Sequence, residues 1–369
     1  MEAGGWHTVT GGAQADPGGA TASMTRVLVR VEAGSGVGLG HLQRCLALAS
    51  ALRGQGVECA FLAADEPAVQ DRIRVSGFTA IPLKDVEPGS EGDWTAALKI
   101  AAQERCSGVV VDSYRIDERY LSELRAAGLV VTAIDDLARF PIGCHLVVNS
   151  GVGAESLPYR PSASDTRFLL GPRYAMLGEG FWNVEPRRAA DEVKEVLVMM
   201  GGADGCNLTP AVLEALDSLK GDFSVAAVIG PFFENVAEVE AIANRCHRRV
   251  RLVRVPDSVR SLMLQADLAV SAAGQTLYEL AATGTPAVAA QVTENQADNL
   301  VGFSQHGAIS PISFGGREQF QRALAQALTS LLTCPQRRRQ MSQAGQRLVD
   351  GLGAKRVAAV MAEMLEGDS

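Results

Sequence analysis

The sequence predicts an α/β fold in which two doubly wound, Rossmann-type domains face each other across a central cleft. Short runs rich in Val, Ile, Leu and Ala alternate with longer segments of helical period along most of the chain. Nearly continuous apolar strands separated by helices are typical of parallel sheets that are covered on both faces. A length of 369 residues is enough for about two such domains. Ligands of open α/β sheets bind beyond the carboxyl ends of the strands, so we expect the site in the cleft.

The chain is predicted to begin with a disordered tail that precedes the first domain. Residues 1–23 are rich in Gly and Ala and carry no Lys or Arg before an apolar run, so they lack the features of a secretion signal. The first Rossmann-like domain is predicted over residues 24–180. Its predicted strands are RVLVRV, VECAFL, GVVVD, LVVTAI and HLVVN.

A second domain of the same type is predicted over residues 190–335. The linker before it, residues 181–194, is polar and charged after a Phe-Trp pair and contains a proline. The predicted strands of the second domain are EVLVMM, SVAAVIG, VRLVRV, DLAVSA and PAVAA. Residues 336–369 are predicted to form two helices, the last of which packs back on the first domain.

Composition excludes several classes of function. The formal net charge of -8 and the pI near 5.3 oppose binding to nucleic acid or to an anionic membrane surface. No apolar run approaches the roughly 18–20 residues that span a bilayer. The seven cysteines are scattered, odd in number and without a C-x-x-C pair, so neither a zinc site nor a disulfide framework is predicted. We therefore expect a cytoplasmic protein, whose oligomeric state the sequence leaves open.

The stretch GSGVGLGHLQRCLALASALR, residues 34–53, combines a glycine-rich turn with an amphipathic helix that begins at His41. Its glycines, among them Gly38 and Gly40, permit tight turns and close approach of a ligand to the helix N-terminus. The spacing matches neither the G-x-G-x-x-G dinucleotide fingerprint nor the P-loop. A helix N-terminus disfavours the imidazolium ion, so a neutral His41 is suited to act as a general base. The alternative is that His41 only caps or packs the turn.

The segment SAAGQTLYELAATGTPAVAAQVTENQADN, residues 271–299, predicts a ligand site in the second domain. A strand ends at Ser271, and a turn of small residues lets a phosphate approach the helix N-terminus at Gln275. Glu279, about one turn into that helix, can accept hydrogen bonds from both hydroxyls of a ribose; a solvated helix face is the alternative for a lone carboxylate. Residues 294–296 place polar side chains at the end of the next strand.

The stretch MMGGADGCN, residues 199–207, repeats the arrangement of strand, glycine turn and helix. Gly201 and Gly202 can border a diphosphate, and Asn207 can cap the helix that follows. A turn without a ligand is the alternative.

Two strand ends of the first domain also carry polar side chains. Asp112 ends the run GVVVD and is followed by Ser113 and Tyr114. The pair Asp135 and Asp136 follows VVTAI, so both sets can face the cleft. No third ligand stands at a suitable spacing beside the paired aspartates, so no metal site is predicted.

Together these segments resemble the nucleotide-sugar hydrolases of pseudaminic acid biosynthesis, which act on UDP-2,4-diacetamido-2,4,6-trideoxy-β-L-altropyranose, and the related spore-coat polysaccharide proteins. That group is similar to glycosyltransferases of the GT-B fold, such as the N-acetylglucosaminyltransferase of peptidoglycan synthesis. The resemblance covers residues 26 to about 300. The motifs that carry it are, in order, GLGHLQRCLALA, VVVDSYRID, AIDDLA, LLGPRYAML, VMMGGADGCN and SAAGQTLYELAATGTPAV followed by ENQ.

The resemblance implies a GT-B fold and a role for each matching residue. His41 is then the base that activates water against the anomeric carbon, and Tyr114 and Asn295 help to position the sugar and the water. One departure is that Arg30 and Glu32 stand where the first strand of the family usually has an Arg followed by an Asp. The predicted substrate-binding residues are Gly38, Gly40, Arg44, Asp112, Gly201, Gly202, Ser271, Gly274, Gln275, Thr276, Glu279, Glu294 and Gln296.

The implied reaction is hydrolysis with inversion, in which water displaces UDP from a UDP-linked amino or deoxy sugar through an oxocarbenium-like state. No cofactor or metal is expected, because UDP is already a good leaving group and helix N-termini can stabilise its developing charge. The alternatives are a glycosyltransferase that moves the sugar to an acceptor hydroxyl, a non-catalytic nucleotide-sugar-binding protein, and an epimerase coupled to hydrolysis.

Overall fold

The computed structural model describes residues 25–34, 37–254, 259–313 and 315–367. The predicted tail at residues 1–23 lies outside the described residues, and so does the side chain of Asn295.

The first domain is a parallel sheet with helices on both faces. Its described strands are β1 Arg26–Val31, β2 Glu58–Ala64, β3 Thr79–Leu83, β4 Gly108–Asp112, β5 Val130–Ile134, β6 Leu146–Asn149 and β7 Arg167–Leu170. Its helices are α1 Gly40–Arg53, α2 Pro67–Val75, α3 Glu91–Gln103 and α4 Glu118–Ala126. The strand order is β3-β2-β1-β4-β5-β6-β7, and all the described neighbours run parallel. Helices α1 and α2 bury one face of the sheet, and α3 and α4 bury the other.

The second domain repeats this arrangement. Its described strands are β8 Glu195–Met199, β9 Ser224–Ile229, β10 Val250–Arg254, β11 Leu268–Ala272, β12 Ala287–Ala290 and β13 Ile309–Ile312. The helices are α5 Leu208–Ser218, α6 Val236–Arg245, α7 Val259–Gln265, α8 Thr276–Ala282, α9 Ala297–Gln305, α10 Arg317–Thr333, α11 Pro335–Leu348 and α12 Gly353–Gly367. The strand order is β10-β9-β8-β11-β12-β13, again parallel in every described pair.

The last helix returns to the first domain. Ala354, Val357, Met361 and Leu365 of α12 are buried in the same apolar cluster as β1 and α1. The chain therefore crosses between the two domains twice, once before β8 and once between α11 and α12.

The predicted fold class is confirmed, and each of the ten predicted strands corresponds to a strand of the structure. Strands β3, β7 and β13 were not predicted. All three lie at sheet edges, where one side needs no partner and apolar patterning is weaker. In addition, β3 and β13 contain Pro82 and Pro311, which are tolerated at an edge but read as strand breakers in the sequence.

Both sheets have a switch point beside a central strand. The chain order reverses at β1, which lies between β2 and β4, and at β8, which lies between β9 and β11. A crevice opens beyond the carboxyl ends of such strand pairs. His41, Gly201 and Gly274 follow β1, β8 and β11 within ten residues, and Asp112 is the last residue of β4. The predicted site residues therefore lie at the two crevices.

Candidate active site

A cleft of about 1840 Å³ lies between the carboxyl ends of the two sheets. One wall includes the turns after β1, β4, β5 and β6, and the other includes the turns after β8, β9, β11 and β12. Small-molecule sites usually measure roughly 300–1,000 Å³. The cleft can therefore hold an extended ligand that contacts both domains.

His41 lies on the first turn of α1 and lines the cleft with only 8% of its surface exposed. Its Nδ1 atom lies 3.0 Å from Oδ1 of Asp112. The two atoms lie within hydrogen-bond distance, although the contact is not aligned as a hydrogen bond. The ring also meets Tyr114 edge to face, with 4.6 Å between the ring centroids. Because Nδ1 is turned toward Asp112, Nε2 is the ring nitrogen available to the cleft.

Arg44 joins two carboxylates beneath His41. Its Nε and Nη2 donate to the two oxygens of Asp112 at 2.7 Å each, and its Nη1 donates to Asp136 at 2.9 and 3.0 Å. The Tyr114 hydroxyl donates to the same carboxylate of Asp136 at 3.0 Å. Four side chains, from α1 and from the carboxyl ends of β4 and β5, are thus connected by hydrogen bonds, and three of them, Arg44, Tyr114 and Asp136, line the cleft.

Glu32 stands at the position where the sequence departs from the family pattern. Its side chain lines the cleft, and its carboxylate accepts a hydrogen bond of 2.5 Å from Ser113. The Nε atom of Arg115, which also lines the cleft, lies 3.2 Å from the other oxygen of Glu32. Arg30 does not reach the cleft, because it is buried in an ion pair with Asp93.

Two glycine turns form the wall of the second domain. Gly201 has a φ of 86°, a conformation that favours glycine, and Gly274 precedes the N-terminus of α8. Both glycines line the cleft, as does Gln296, whose Oε1 accepts from the backbone N–H of Val292 at 2.9 Å. The N-terminal end of α8 therefore lies at the cleft wall, where the dipole and first amides of a helix favour an anion.

Glu279 lies half-buried on the first turn of α8 and lines the cleft. Burial raises the pKa of its carboxyl group to about 7. Among the described residues, no hydrogen bond or ion pair reaches this carboxylate. It is not on a solvated helix face, and its acceptor atoms remain available to a ligand.

The helix after the Gly201 turn is capped differently from the prediction. Asn207 stands at the N-cap position but makes no side-chain cap; instead its amide donates to Glu238. The two oxygens of Asp204 accept the backbone N–H groups of Leu208 and Thr209 at 2.8 Å each. Asp204 is therefore the capping residue, and the prediction for Asn207 was wrong because a turn from residue 204 brings the carboxylate over the first amides of α5.

The structure brings most of the predicted site residues to one cleft. Asp112 and Ser271, which were predicted to bind substrate, are fully buried and do not line the cleft. Glu294 is exposed and does not line the cleft, and the side chain of Asn295 is outside the described part. Those that line the cleft are Gly38, Gly40, His41, Arg44, Tyr114, Gly201, Gly202, Gly274, Gln275, Thr276, Glu279 and Gln296.

Arg260 is one of the cleft residues that were not predicted. Arg260 on α7 lines the cleft, and its Nε atom is buried without a hydrogen-bond partner. Within the described residues no carboxylate lies within ion-pair distance of its guanidinium. Nothing in the sequence marked this arginine, because its position in the cleft depends on the packing of α7 against β8.

The described residues contain no cluster of three His, Cys, Asp or Glu side chains that can hold a metal ion. In the same part of the chain, every helix is too short or too polar to cross a bilayer.

No protein-family model matches the chain. An uncharacterized protein of Methanocaldococcus jannaschii is 28% identical over 270 residues, which cover 70% of this chain and 54% of that protein. The spore coat polysaccharide biosynthesis protein SpsG of Bacillus subtilis is 27% identical over 207 residues, which cover 55% of this chain and 60% of that protein. The chain thus spans a little more than half the length of these two relatives.

Two relatives with named activities align over more of their length. The UDP-N-acetylglucosamine–N-acetylmuramyl-(pentapeptide) pyrophosphoryl-undecaprenol N-acetylglucosamine transferase of Acidithiobacillus ferrooxidans is 28% identical over 351 residues, 89% of this chain and 96% of that enzyme. The UDP-2,4-diacetamido-2,4,6-trideoxy-β-L-altropyranose hydrolase of Campylobacter jejuni is 24% identical over 259 residues, 69% of this chain and 87% of that enzyme. The relatives therefore include the hydrolase that the motifs resemble, and the identities do not separate it from the transferases.

Solved structures establish the fold. MurG of Acinetobacter baumannii superposes with a TM-score of 0.67 at 16% identity and covers 92% of this chain and 100% of its own. MnaA of S. aureus, solved with UDP, gives a TM-score of 0.64 at 13% identity and covers 93% of this chain and 97% of its own. The protein thus has a GT-B-like fold of two Rossmann-type domains.

Proposed function

We propose that the protein hydrolyses a UDP-linked sugar at the anomeric carbon and releases UDP. The observation that carries this proposal is the arrangement of one cleft, in which His41 of the first domain faces the glycine turns and Glu279 of the second. A base on one side and an anion site on the other are what a nucleotide sugar needs if it lies across the cleft. The named relatives, which act on UDP-sugars by name, support the same class of substrate.

The nucleotide is assigned to the second domain. The backbone amides around Gly201 and Gly274 and the N-terminus of α8 offer donors to the diphosphate. The guanidinium of Arg260, which has no carboxylate partner in the described residues, supplies a positive charge to the same wall. Glu279 has free acceptor atoms for the ribose hydroxyls.

The chemical step is assigned to the first domain. Water attacks the anomeric carbon while Nε2 of His41 takes its proton, and the bond between that carbon and the diphosphate oxygen breaks with its electron pair leaving on UDP. The Tyr114 ring, edge to face with His41, contributes to the position of the sugar or the water. UDP is a good leaving group and the amides and Arg260 stabilise its charge, so the proposed reaction uses no cofactor or metal. We also propose an amino or deoxy sugar as the group released, on the basis of the motif resemblance.

A glycosyltransferase is the second candidate function. The transferase relative aligns over 96% of its length, more than the hydrolase relative does. The same base and the same nucleotide site then serve, with an acceptor hydroxyl in place of water.

The test is incubation with a panel of UDP-sugars in ¹⁸O-labelled water without an acceptor, followed by mass spectrometry of the products. Label in the free sugar is the expected result, because water then forms the new bond to the anomeric carbon. UDP release only after addition of a sugar or lipid acceptor favours the transferase. Label in the phosphate, or UDP binding without release under either condition, overturns both candidates.

Variants test the assigned base. His41→Ala is expected to lower kcat by about 10²–10⁴-fold, the usual contribution of general base catalysis, while UDP affinity changes little. His247→Ala is the matched control, since that histidine is 95% exposed and does not line the cleft. A folded His41→Ala variant that keeps full turnover excludes His41 as the base.

A further inference from the structure

We propose that Asp112 is a positioning residue that fixes the tautomer and orientation of His41, and that Arg44 ties it to Asp136 and Tyr114 as one unit. The sequence placed Asp112 in contact with substrate, but its side chain is fully buried and does not line the cleft. This inference rests on the proposed function, in which His41 is the base.

The contact surface of α1 gives the local reason for this arrangement. His41, Arg44 and Cys45 are spaced three and four residues apart, so they lie on one face of the helix. All three meet the carboxylate of Asp112 at the end of β4: Nδ1 of His41 at 3.0 Å, the guanidinium of Arg44 at 2.7 Å and Sγ of Cys45 at 3.4 Å. The buried carboxylate of Asp112 thereby fixes the position of α1, the helix that carries His41, on the sheet.

Asp112 is ionised in spite of its burial. Burial alone opposes the charge, but the charge and hydrogen bonds of Arg44, together with His41, hold the pKa of Asp112 well below its usual range. An ionised carboxylate can only accept hydrogen bonds. It therefore favours the proton on Nδ1 of a neutral His41 and leaves the lone pair on Nε2 for the cleft.

The charges of the cluster also suit a base. Arg44 is positive and Asp112 and Asp136 are negative, so the cluster carries one net negative charge while His41 is neutral. The proton that His41 takes from water brings this sum to zero. Two neighbouring groups add no charge to this sum, because burial raises the pKa of the Cys45 thiol and of the Tyr278 hydroxyl on α8 and keeps both neutral.

Asp136 extends the same unit to the cleft surface. It accepts hydrogen bonds from Arg44 and from the Tyr114 hydroxyl, and Tyr114 in turn packs against the His41 ring. The two first-domain side chains assigned to the reaction are therefore held by a single chain of contacts that begins at Asp112.

The test compares two buried aspartates of the same domain. Asp112→Asn keeps the volume but removes the charge, and Asp93→Asn is its matched control, because Asp93 is also fully buried and holds Arg30 through two hydrogen bonds of 2.6 and 2.7 Å. Asp112→Asn is expected to lower kcat for UDP-sugar hydrolysis by about 10²–10⁴-fold with less than about threefold change in KM. Asp93→Asn is expected to keep the wild-type kcat even where it lowers the thermal stability equally.

A spectroscopic measurement reads the tautomer directly. Selective ¹⁵N labelling of the five histidines, with His41 assigned from the signal lost in His41→Gln, is expected to place the proton of the neutral ring on Nδ1 in the wild-type protein and in Asp93→Asn. In Asp112→Asn, the population of the two neutral tautomers of His41 is expected to shift toward the one with its proton on Nε2. Because the wild-type spectrum needs no variant at position 112, the test holds even if Asp112→Asn fails to fold.

The possible outcomes distinguish the positioning role of Asp112 from the proposed function, in which His41 is the base. An Nε2–H tautomer in the wild-type protein, or an Asp112→Asn variant with the kcat and tautomer of Asp93→Asn, overturns the positioning role while a loss of turnover in His41→Ala still supports the base. A His41→Ala variant with full turnover overturns the proposed function, whatever the tautomer.

Discussion

Glu279 is a single carboxyl group on the wall of the cleft whose burial has a consequence for stability. Its pKa is raised from the ordinary 4.5 to about 7 in the folded protein. Between these two values the folded state binds more protons than the unfolded state, so the free energy of unfolding falls as the pH rises through this window. This loss of stability is complete above pH 7 and absent below pH 4.5. It amounts to about 1–3 kcal/mol, since solvent in the cleft screens the carboxylate and lowers the cost of its charge.

Glu279→Gln is therefore expected to be more stable than the wild-type protein at about pH 8, and equally stable at about pH 4.5. Urea unfolding at both pH values measures the difference. Glu294→Gln, an exposed carboxylate outside the cleft, serves as the control and is expected to follow the wild-type protein at each pH. Equal stability of Glu279→Gln and the wild-type protein at about pH 8 contradicts a buried, destabilised carboxylate.

At the scale of single side chains, the sequence predicted which turns carry the site better than it predicted which atoms face it. Glycine turns, His41 and Glu279 follow apolar strands, and strand ends at a switch point meet in one cleft. Whether a side chain points into the cleft or behind it depends on neighbours far away in sequence. Asp112 lies behind the cleft wall, where Arg44 donates hydrogen bonds to it, and Arg260 reaches the cleft from α7, which packs against β8.

At the scale of helices and strands, apolar runs were sufficient to predict every central strand but only one of the four edge strands, β10. A central strand is buried on both faces, so its sequence is almost entirely apolar, as in GVVVD of β4. The edge strand β3 is half-exposed and contains a proline, so periodicity alone does not separate it from a loop. Caps were harder still, because the capping atom of α5 comes from Asp204, three residues before the N-cap position.

The cap of α5 gives a prediction with an internal control. Asp204 and Asn207 both have positive φ values, 46° and 50°, so replacement of either by Ala carries the same backbone penalty. Only Asp204→Ala also removes the acceptor of two helix N–H groups. It is expected to lower the free energy of unfolding by about 1–2 kcal/mol more than Asn207→Ala does. Equal losses in the two variants, measured by urea unfolding, mean that the carboxylate does not stabilise α5.

At the scale of the whole molecule, the two crossings between domains pack against each other. The outgoing crossing contains Ala175 and Phe181, and the return crossing lies between α11 and α12. A Cβ atom at Gly353 would clash with the carbonyl oxygen of Ala175, and one at Gly351 would clash with that of Phe181. Residues after the outgoing crossing are held on the second domain, where Arg187 donates to the carbonyl oxygen of Met263 at 2.9 Å.

Because of these close approaches, the two crossings can pack together only if residue 351 has no side chain. Gly351 has a φ of 80°, and Gly128, on the surface of the first domain, has a φ of 83° with no atom within 4 Å of a Cβ. Gly128→Ala therefore carries only the backbone penalty of about 1–2 kcal/mol. Gly351→Ala carries the same penalty and also forces the two crossings apart, so its free energy of unfolding is expected to fall by about 2 kcal/mol more. Urea unfolding of both variants measures this difference. Equal losses in the free energy of unfolding mean that the two crossings can move apart without a cost in stability. Because the separation also moves α12, which is buried against α1, we expect Gly351→Ala to weaken the packing of the helix that carries His41, whereas Gly128→Ala leaves it unchanged.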